Sequence, residues 1–298
     1  MTTDQPGTTR AEGLDDTVEP THVLWHSAAT QRHPTPLRSS DHLSDAVGAA
    51  SDVGHRHSTN QDAYRIALVP AEGRQPVVLI IADGVSSTLD SDLASDRAVA
   101  TALAHISEHL SGDPDATSEQ QAEVLAAAFS LANAAVVGNV QDPAAHGSCT
   151  LIAGVATGVI TVASIGDSRA YWFGDDGAVL RLSIDDSVTQ ARIELGMTPE
   201  EAGQGVNAHA ITRWLGANAE DVTPRVLGFR PGSPGWLLLC SDGLWNYAPD
   251  DDTLARLLLT ATTNATAEQA AQRLVDWALA RGGRDNVTVA LARWEPQP

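Results

Sequence analysis

Apolar positions in this chain form short runs with almost no polar interruption. VVLIIA at 77–82, WLLLC at 236–240 and VTVALA at 287–292 are the clearest. A strand with one wet face alternates apolar and polar residues; a run apolar throughout is expected to be buried on both faces. AVGAASDVG and AYRIALVP predict an opening strand pair, followed by PVVLIIAD. Two helical stretches come next, roughly 89–110 and 118–141. The second opens with Ser118 and Gln121 at capping-box spacing before an alanine-rich run. SCTLIAGVA, VITVASIG, SRAYWFG and AVLRLS, with turns at Thr157-Gly158 and Asp175 to Gly177, predict a meander of antiparallel hairpins. A loop-rich, partly helical stretch covers about 184–222, and strands resume at TPRVLGF and GWLLLCSD. A last helix starts near Thr266, with Gln269 completing a capping box, and ends at Gly282-Gly283 before the strand NVTVALARW. Strand blocks flanking helices, without strict βαβ alternation, indicate an α+β fold.

The first 44 residues are rich in Thr, Asp, Pro, Ser and His and lack a sustained period, so they read as a polar tail with Trp25 its one anchor. Residues 45–298 are expected to form one domain. His22, His26, His33 and His42 fit no ligand spacing and read as solvated. The chain has 298 residues, 43% of them hydrophobic, enough for a sizeable core. Its formal net charge of −20 disfavours nucleic acid and anionic membranes as partners. The start has neither a cationic nor an apolar leader region, no run suffices for a membrane-spanning helix, and the 2 cysteines, Cys149 and Cys240, sit in apolar strands. A reducing cytoplasm is the expected location.

Four aspartates mark the ends of apolar runs, each beside a small polar or glycine residue: Asp83, Asp167, Asp242 and Asp285. Asp-Gly after a strand is also an ordinary turn signal, so each one alone is weak. Gathered at one place, they would repel by roughly 4 kcal/mol per pair at about 4 Å and an effective dielectric near 20. A cysteine-free, oxygen-rich cluster suits the hard ions Mg2+ or Mn2+, which points to metal-assisted hydrolysis.

The ordered blocks DVGHRHSTNQDAY (52–64), IIADGVSS (80–87), GSCTLIAG (147–154), SIGDSRAYW (164–172), ITRWLG (211–216), LLLCSDGLWNY (237–247) and GGRDNVTVALA (282–292) resemble the metal-dependent protein phosphatases, the protein phosphatase 2C-like family, in its bacterial form. The resemblance covers about residues 45–295. It implies a four-layer α-β-β-α sandwich of two antiparallel sheets flanked by helix pairs. It also implies a Ser/Thr phosphoprotein phosphatase with two Mn2+ or Mg2+ ions, phosphorylated proteins as substrates and a Ser/Thr kinase as a candidate partner. By the same resemblance Asp83 bridges two ions, Gly84 offers its carbonyl, Asp242 and Asp285 complete the first site, and Asp167 helps hold a third, weaker ion. Asp62 is the acidic member of the first block, and Asn286 orients ligands through hydrogen bonds. Such ions supply an activated water, so no protein nucleophile is needed, and Ser168 and Ser241 read as structural.

The chain departs from the family pattern in three places. An arginine for the substrate phosphate is usual five residues before Asp62; His57 stands there, with Arg56 one place earlier. An imidazole can hydrogen-bond phosphate but cannot fork onto it. Gln61 stands where the block often carries glutamate. Ser86-Ser87 replaces paired glycines and would be strained at positive φ. No histidine follows Asp83-Gly84 as general acid, so leaving-group protonation is expected from water on the ions. The stretch 184–222 resembles a flap beside the cleft, with Asp185 and Asp186 either near the third ion or on the surface, and Trp214 in the core. These departures leave a weakly active or inactive phosphoprotein-binding module as the alternative. A two-metal nuclease is disfavoured by the charge.

Overall fold

The computed structural model describes Met1 and residues 36–71, 75–138, 147–205, 207–248 and 250–296. The strands are β1 (Arg38–Ser44), β2 (Val47–Asp52), β3 (Ala63–Leu68), β4 (Val77–Ala82), β5 (Leu151–Ala156), β6 (Ile160–Ile165), β7 (Arg169–Gly174), β8 (Val179–Arg181), β9 (Arg225–Phe229), β10 (Gly235–Cys240) and β11 (Val287–Trp294). The helices are α1 (Ser91–Gly112), α2 (Ser118–Val137), α3 (Val188–Glu194), α4 (Pro199–Ala202), α5 (Asp242–Trp245), α6 (Asp251–Thr262) and α7 (Ala267–Leu279). One sheet runs β1-β2-β11-β10-β7-β8 and the other β3-β4-β5-β6-β9, with every pairing antiparallel.

The continuous apolar runs are explained by burial on both faces. Leu79 and Ile81 of β4 meet Leu237 and Leu239 of β10 between the sheets, with Trp172 and Ala290. The alternate residues Val78 and Ile80 face α1 and α2 among Leu103, Ile106 and Phe129. Leu238, Val289 and Leu291 face α6 and α7 among Leu254, Leu274 and Val275. Each of these central strands thus shows one apolar face to the opposite sheet and one to a helix pair, which gives the four layers expected.

Several boundaries differ from the sequence reading. Residues 38–44 are not tail but edge strand β1, paired with β2 from Arg38 opposite Asp52. Its polar, half-buried composition carries no apolar run, which hid it. His42 lies in β1 opposite Gly48, while Trp25, His22, His26 and His33 fall outside the described residues. β2 and β3 do not pair with each other; they belong to different sheets. The expected meander likewise divides: β5 and β6 pair in one sheet, β7 and β8 in the other. The α2 capping box is Thr117 with Gln120, one residue earlier than read, while Gln121 turns inward to Thr157 and Thr161. The Thr266–Gln269 box is as read. Helix α6, capped by Asp250, was missed.

The register brings the key strand ends together. Ile81 near the end of β4 pairs with Ile152 near the start of β5, and Leu151 with Ile165 at the end of β6. In the other sheet Cys240, ending β10, pairs with Arg169, starting β7, and with Val289 near the start of β11. The chain crosses between the sheets at residues 53–62 and again at 166–168, at this same end.

Helix α7 lies close on β2 at Gly48, where an added Cβ would meet Glu268 N at 2.3 Å and Glu268 Cα at 2.6 Å. Backbone cannot yield there, so Gly48→Ala is expected to destabilise by about 1–3 kcal/mol. A denaturant melt showing no loss would contradict this packing.

Candidate metal centre

Each candidate aspartate sits where a strand meets the end of the sandwich. Asp83 follows β4, and its N–H donates to Thr150 Oγ1 at 3.1 Å. Thr150 N–H donates back to the Asp83 carbonyl at 2.8 Å. Gly84 bridges to Cys149, and a Cβ there would stand 2.7 Å from the Gln61 carbonyl, so only glycine fits. Asp167 lies in the crossing from β6 to β7, after Gly166 at φ +103, and its carbonyl accepts from Trp245 Nε1 at 3.0 Å. Asp242 opens α5 and accepts from Asn246 Nδ2 at 3.0 Å. Asp285 precedes β11, accepts from Asn286 N–H at 2.9 Å, and lies 3.3 Å from His57 Nε2.

The fifth carboxylate, Asp62, is 2% exposed. Its Oδ2 accepts from Thr288 Oγ1 at 2.6 Å and Ser241 Oγ at 2.8 Å. Its Oδ1 is buried and has no hydrogen-bond partner. An orphaned carboxylate oxygen in an interior is costly unless something positive faces it.

The charges feel one another. Burial raises Asp62 to about 6, against the hydrogen bonds from Thr288 and Ser241, with Asp285 adding to the rise. Burial, then Asp185, raises Asp167 to about 7. Burial, then the charges of Asp62, Asp242, Asp167 and Asp285, pushes Asp83 well above the carboxylate range. Asp242 is pushed up by burial and then by Asp167, Asp285 and Asp62. Asp83 and Asp242 are half-buried. Asp62, Asp167, Asp242 and Asp285 thus all lie within electrostatic reach of Asp83 at this end of the sandwich.

The donor set suits hard divalent ions: carboxylates, the Gly84 carbonyl region and the orphaned Asp62 Oδ1. Among the described residues, no three or more His, Cys, Asp or Glu side chains are gathered as a ready-made cage. That is compatible with ions such as Mg2+, which keep several waters and use one or two carboxylates each.

The surrounding groups fasten the loops. Asn286 is more clamp than ligand-orienter: its Oδ1 accepts from Gln61 N–H at 2.8 Å, and its Nδ2 donates to the carbonyls of Val53 and Thr59. Gln61 turns to serines: its Nε2 donates to Ser91 Oγ, and its Oε1 accepts from Ser86 Oγ at 2.9 Å. The neutral amide serves this chain of contacts by donating at one end and accepting at the other. Ser86 and Ser87 are not at positive φ, so the expected strain is absent. Asp185 and Asp186 are buried, not surface groups. Asp185 holds Arg169 through a fork with contacts of 3.0 and 2.7 Å, and Arg169 stacks 3.6 Å from the Trp245 ring centre. Asp186 takes Arg225 at 2.9 Å and Gly166 N–H at 3.1 Å, with Arg213 beside it. The flap, which includes α3 and α4, is therefore tied to the same turn that presents Asp167. Its far end, at ITRWLG, pairs Leu215 with Cys149, and Trp214 is half-buried. Sequence reasoning missed Arg169, Trp245, Thr288 and the role of Ser241. Their only signal was adjacency to the aspartate blocks.

The family model described as protein phosphatase 2C matches residues 53–278. The chain belongs to the protein phosphatase 2C family. It is 32% identical over 248 residues to the serine/threonine protein phosphatase PstP of Mycobacterium tuberculosis strain H37Rv, covering 82% of this chain and 44% of that protein. This chain therefore spans under half the length of that relative. It is 27% identical to the protein phosphatase PhpP of Streptococcus pneumoniae, covering 82% of this chain and 96% of that one. Among solved structures, the M. tuberculosis PstP/Ppp phosphatase superposes with a TM-score of 0.67 at 29% identity over 87% of this chain and 99% of that one. The PstP catalytic domain in complex with 2 manganese ions gives a TM-score of 0.62 at 29% identity, over 86% and 97%.

The raised carboxylates make stability depend on pH. A group whose folded pKa exceeds its unfolded value stabilises while protonated. Its contribution is complete below about pH 4 and is lost as pH climbs through the folded value. For Asp62 and Asp167 the loss falls between about 4 and about 7. In chelator-treated protein, Asp62→Asn should therefore gain stability relative to wild type as pH rises from 5 to 8, by on the order of 2 kcal/mol. Parallel melting curves of the two proteins across that range would contradict it.

Proposed function

We propose that this chain is a metal-dependent phosphatase that removes phosphate from phosphoserine and phosphothreonine in proteins. The observation that carries the reading is the convergence of five carboxylates, one with an orphaned buried oxygen, in a chain of the protein phosphatase 2C family. Asp83, Gly84, Asp242 and Asp285 would hold two Mn2+ or Mg2+ ions, with Asp62 beside them and Asp167 available to a third. When bound, the ions activate a water and neutralise phosphoryl charge during in-line displacement.

The chain's own groups supply position and shielding. Asp62 is fixed by two hydroxyl donors at Oδ2, which leaves its buried Oδ1 without a hydrogen-bond partner. Asn286 sets the backbone of Gln61 against Gly84, which holds the first crossing loop and the Asp83 turn in register. The flap, anchored by Asp186, borders the turn of Asp167 and so stands where a protein substrate would be received.

Among the described residues, the cysteines and the serines beside the aspartates are not placed to attack phosphorus. Cys149 is buried, and burial followed by the Asp83 charge raises its thiol strongly. Burial lifts Cys240 to about 12. Ser241 and Ser168 are buried and engaged in hydrogen bonds. An activated water is the nucleophile consistent with this inventory. Gln61 and Ser86, two of the departures that suggested an inactive module, join Ser91 in a hydrogen-bonded chain, and nothing in its geometry favours that alternative. Phosphoproteins fit as substrates; a kinase partner is implied only by resemblance.

The test is hydrolysis of p-nitrophenyl phosphate and of a phosphothreonine peptide by the purified chain, with and without Mn2+. Activity should require the ion and fall at least about a hundredfold in Asp83→Asn and Asp242→Ala, because such charge stabilisation is worth several kcal/mol. Equal turnover in chelator, or in either variant, would overturn the reading.

A further inference from the structure

Two histidines lie in the loop that crosses from β2 to β3, and they face different ways. His55 Nε2 stands 3.2 Å from the Leu279 carbonyl, and its ring lies against Gly283. His57 places Nε2 3.3 Å from Asp285 Oδ1, with its side chain 30% exposed. This contact is built into the chain path. His55 N–H donates to the Gly283 carbonyl at 2.6 Å, and Gly54 packs so tightly that a Cβ would meet the Asp285 carbonyl at 2.2 Å. Beyond His57, Asn286 Nδ2 reaches the Thr59 carbonyl. The loop is pinned on both sides of His57 to the turn that presents Asp285.

We infer that His57 gives its Nε2 lone pair to the divalent ion held at Asp285, adding one nitrogen donor to an otherwise all-oxygen centre. The inference rests on the reading that Asp285 holds an ion. In an octahedral shell with bonds of about 2.1 Å, neighbouring donors stand about 3 Å apart. The Nε2 to Oδ1 separation is close to that. An arginine here would offer only N–H donors and a positive charge, which suits an anion. A neutral imidazole with its proton on Nδ1 offers a lone pair instead. One nitrogen ligand tilts a carboxylate site from Mg2+ toward first-row transition ions, Mn2+ among them. An imidazole engaged in this way is not the receptor for substrate phosphate.

The experiment uses the whole chain, stripped of metal. Calorimetry first establishes Mn2+ and Mg2+ binding. Pulsed electron paramagnetic resonance of the Mn2+ form then reads nitrogen coupling in wild-type protein grown with natural or 15N-labelled histidine. Histidine nitrogen coupling is expected, changed by the label, retained in His55→Gln and lost in His57→Gln. The ratio of Mn2+ to Mg2+ affinity should fall roughly tenfold in His57→Gln. The isotope comparison is made on wild-type protein and needs no variant to fold. Bound Mn2+ without histidine coupling overturns the inference and leaves the ion site standing. Coupling that survives in His57→Gln overturns it equally. Absence of Mn2+ uptake overturns both the inference and the site.

Discussion

Mutual repulsion among buried and half-buried carboxylates is the constraint around which this molecule is arranged. Five lie near one another where two sheets share an open end, Asp62 and Asp167 buried and the other three partly open, and Asp62, Asp167, Asp242 and Asp285 each raise the proton affinity of others. At an effective dielectric near 20, a pair about 4 Å apart costs roughly 4 kcal/mol, comparable to the net stability of a whole domain. The sandwich tolerates this because its register is set elsewhere, by apolar strand faces packed between sheets and under helices. The acids are not held by attraction to one another. They are carried to one spot by strands that have no alternative place to end, and a proton or a cation relieves the repulsion.

Around this cluster, polar groups are spent on fixing loops. Asp62 is bonded to two hydroxyls, Asn286 clamps the first crossing loop, and Gln61 links two serines across the Asp83 turn. On the flap side, Arg169 and Asp185 form a buried fork under Trp245, and Asp186 collects Arg225 and Arg213. A buried pair is weak evidence for stability, but breaking one leaves an uncompensated charge. Here the two pairs join the flap to the turn of Asp167.

Much of this was legible in the sequence because it rests on strands buried on both faces, whose apolar runs end abruptly in an aspartate. Asp83, Asp167, Asp242 and Asp285 stood out for that reason, and the Thr266 capping box did so through local spacing. What escaped notice depends on distance in space. β1 has a polar edge composition with no apolar period. The division of β2 from β3, and of β6 from β7, cannot be seen from runs that look alike in either sheet. Asp186 stayed undecided between the ions and the surface because its three partners, Gly166, Arg213 and Arg225, lie 20 to 39 positions away. Gln61 and Ser86 looked like two separate departures from a family pattern, whereas they form one hydrogen-bonded pair.

On binding cations, the protonated acids give up their protons. Mn2+ binding measured by calorimetry at pH 6 in buffers of different ionisation heat tests it directly, because ligands that must deprotonate release protons on binding. The account predicts saturable uptake of Mn2+ with net proton release that shrinks toward pH 8. Uptake with no buffer dependence at pH 6, or no uptake at all, would contradict it.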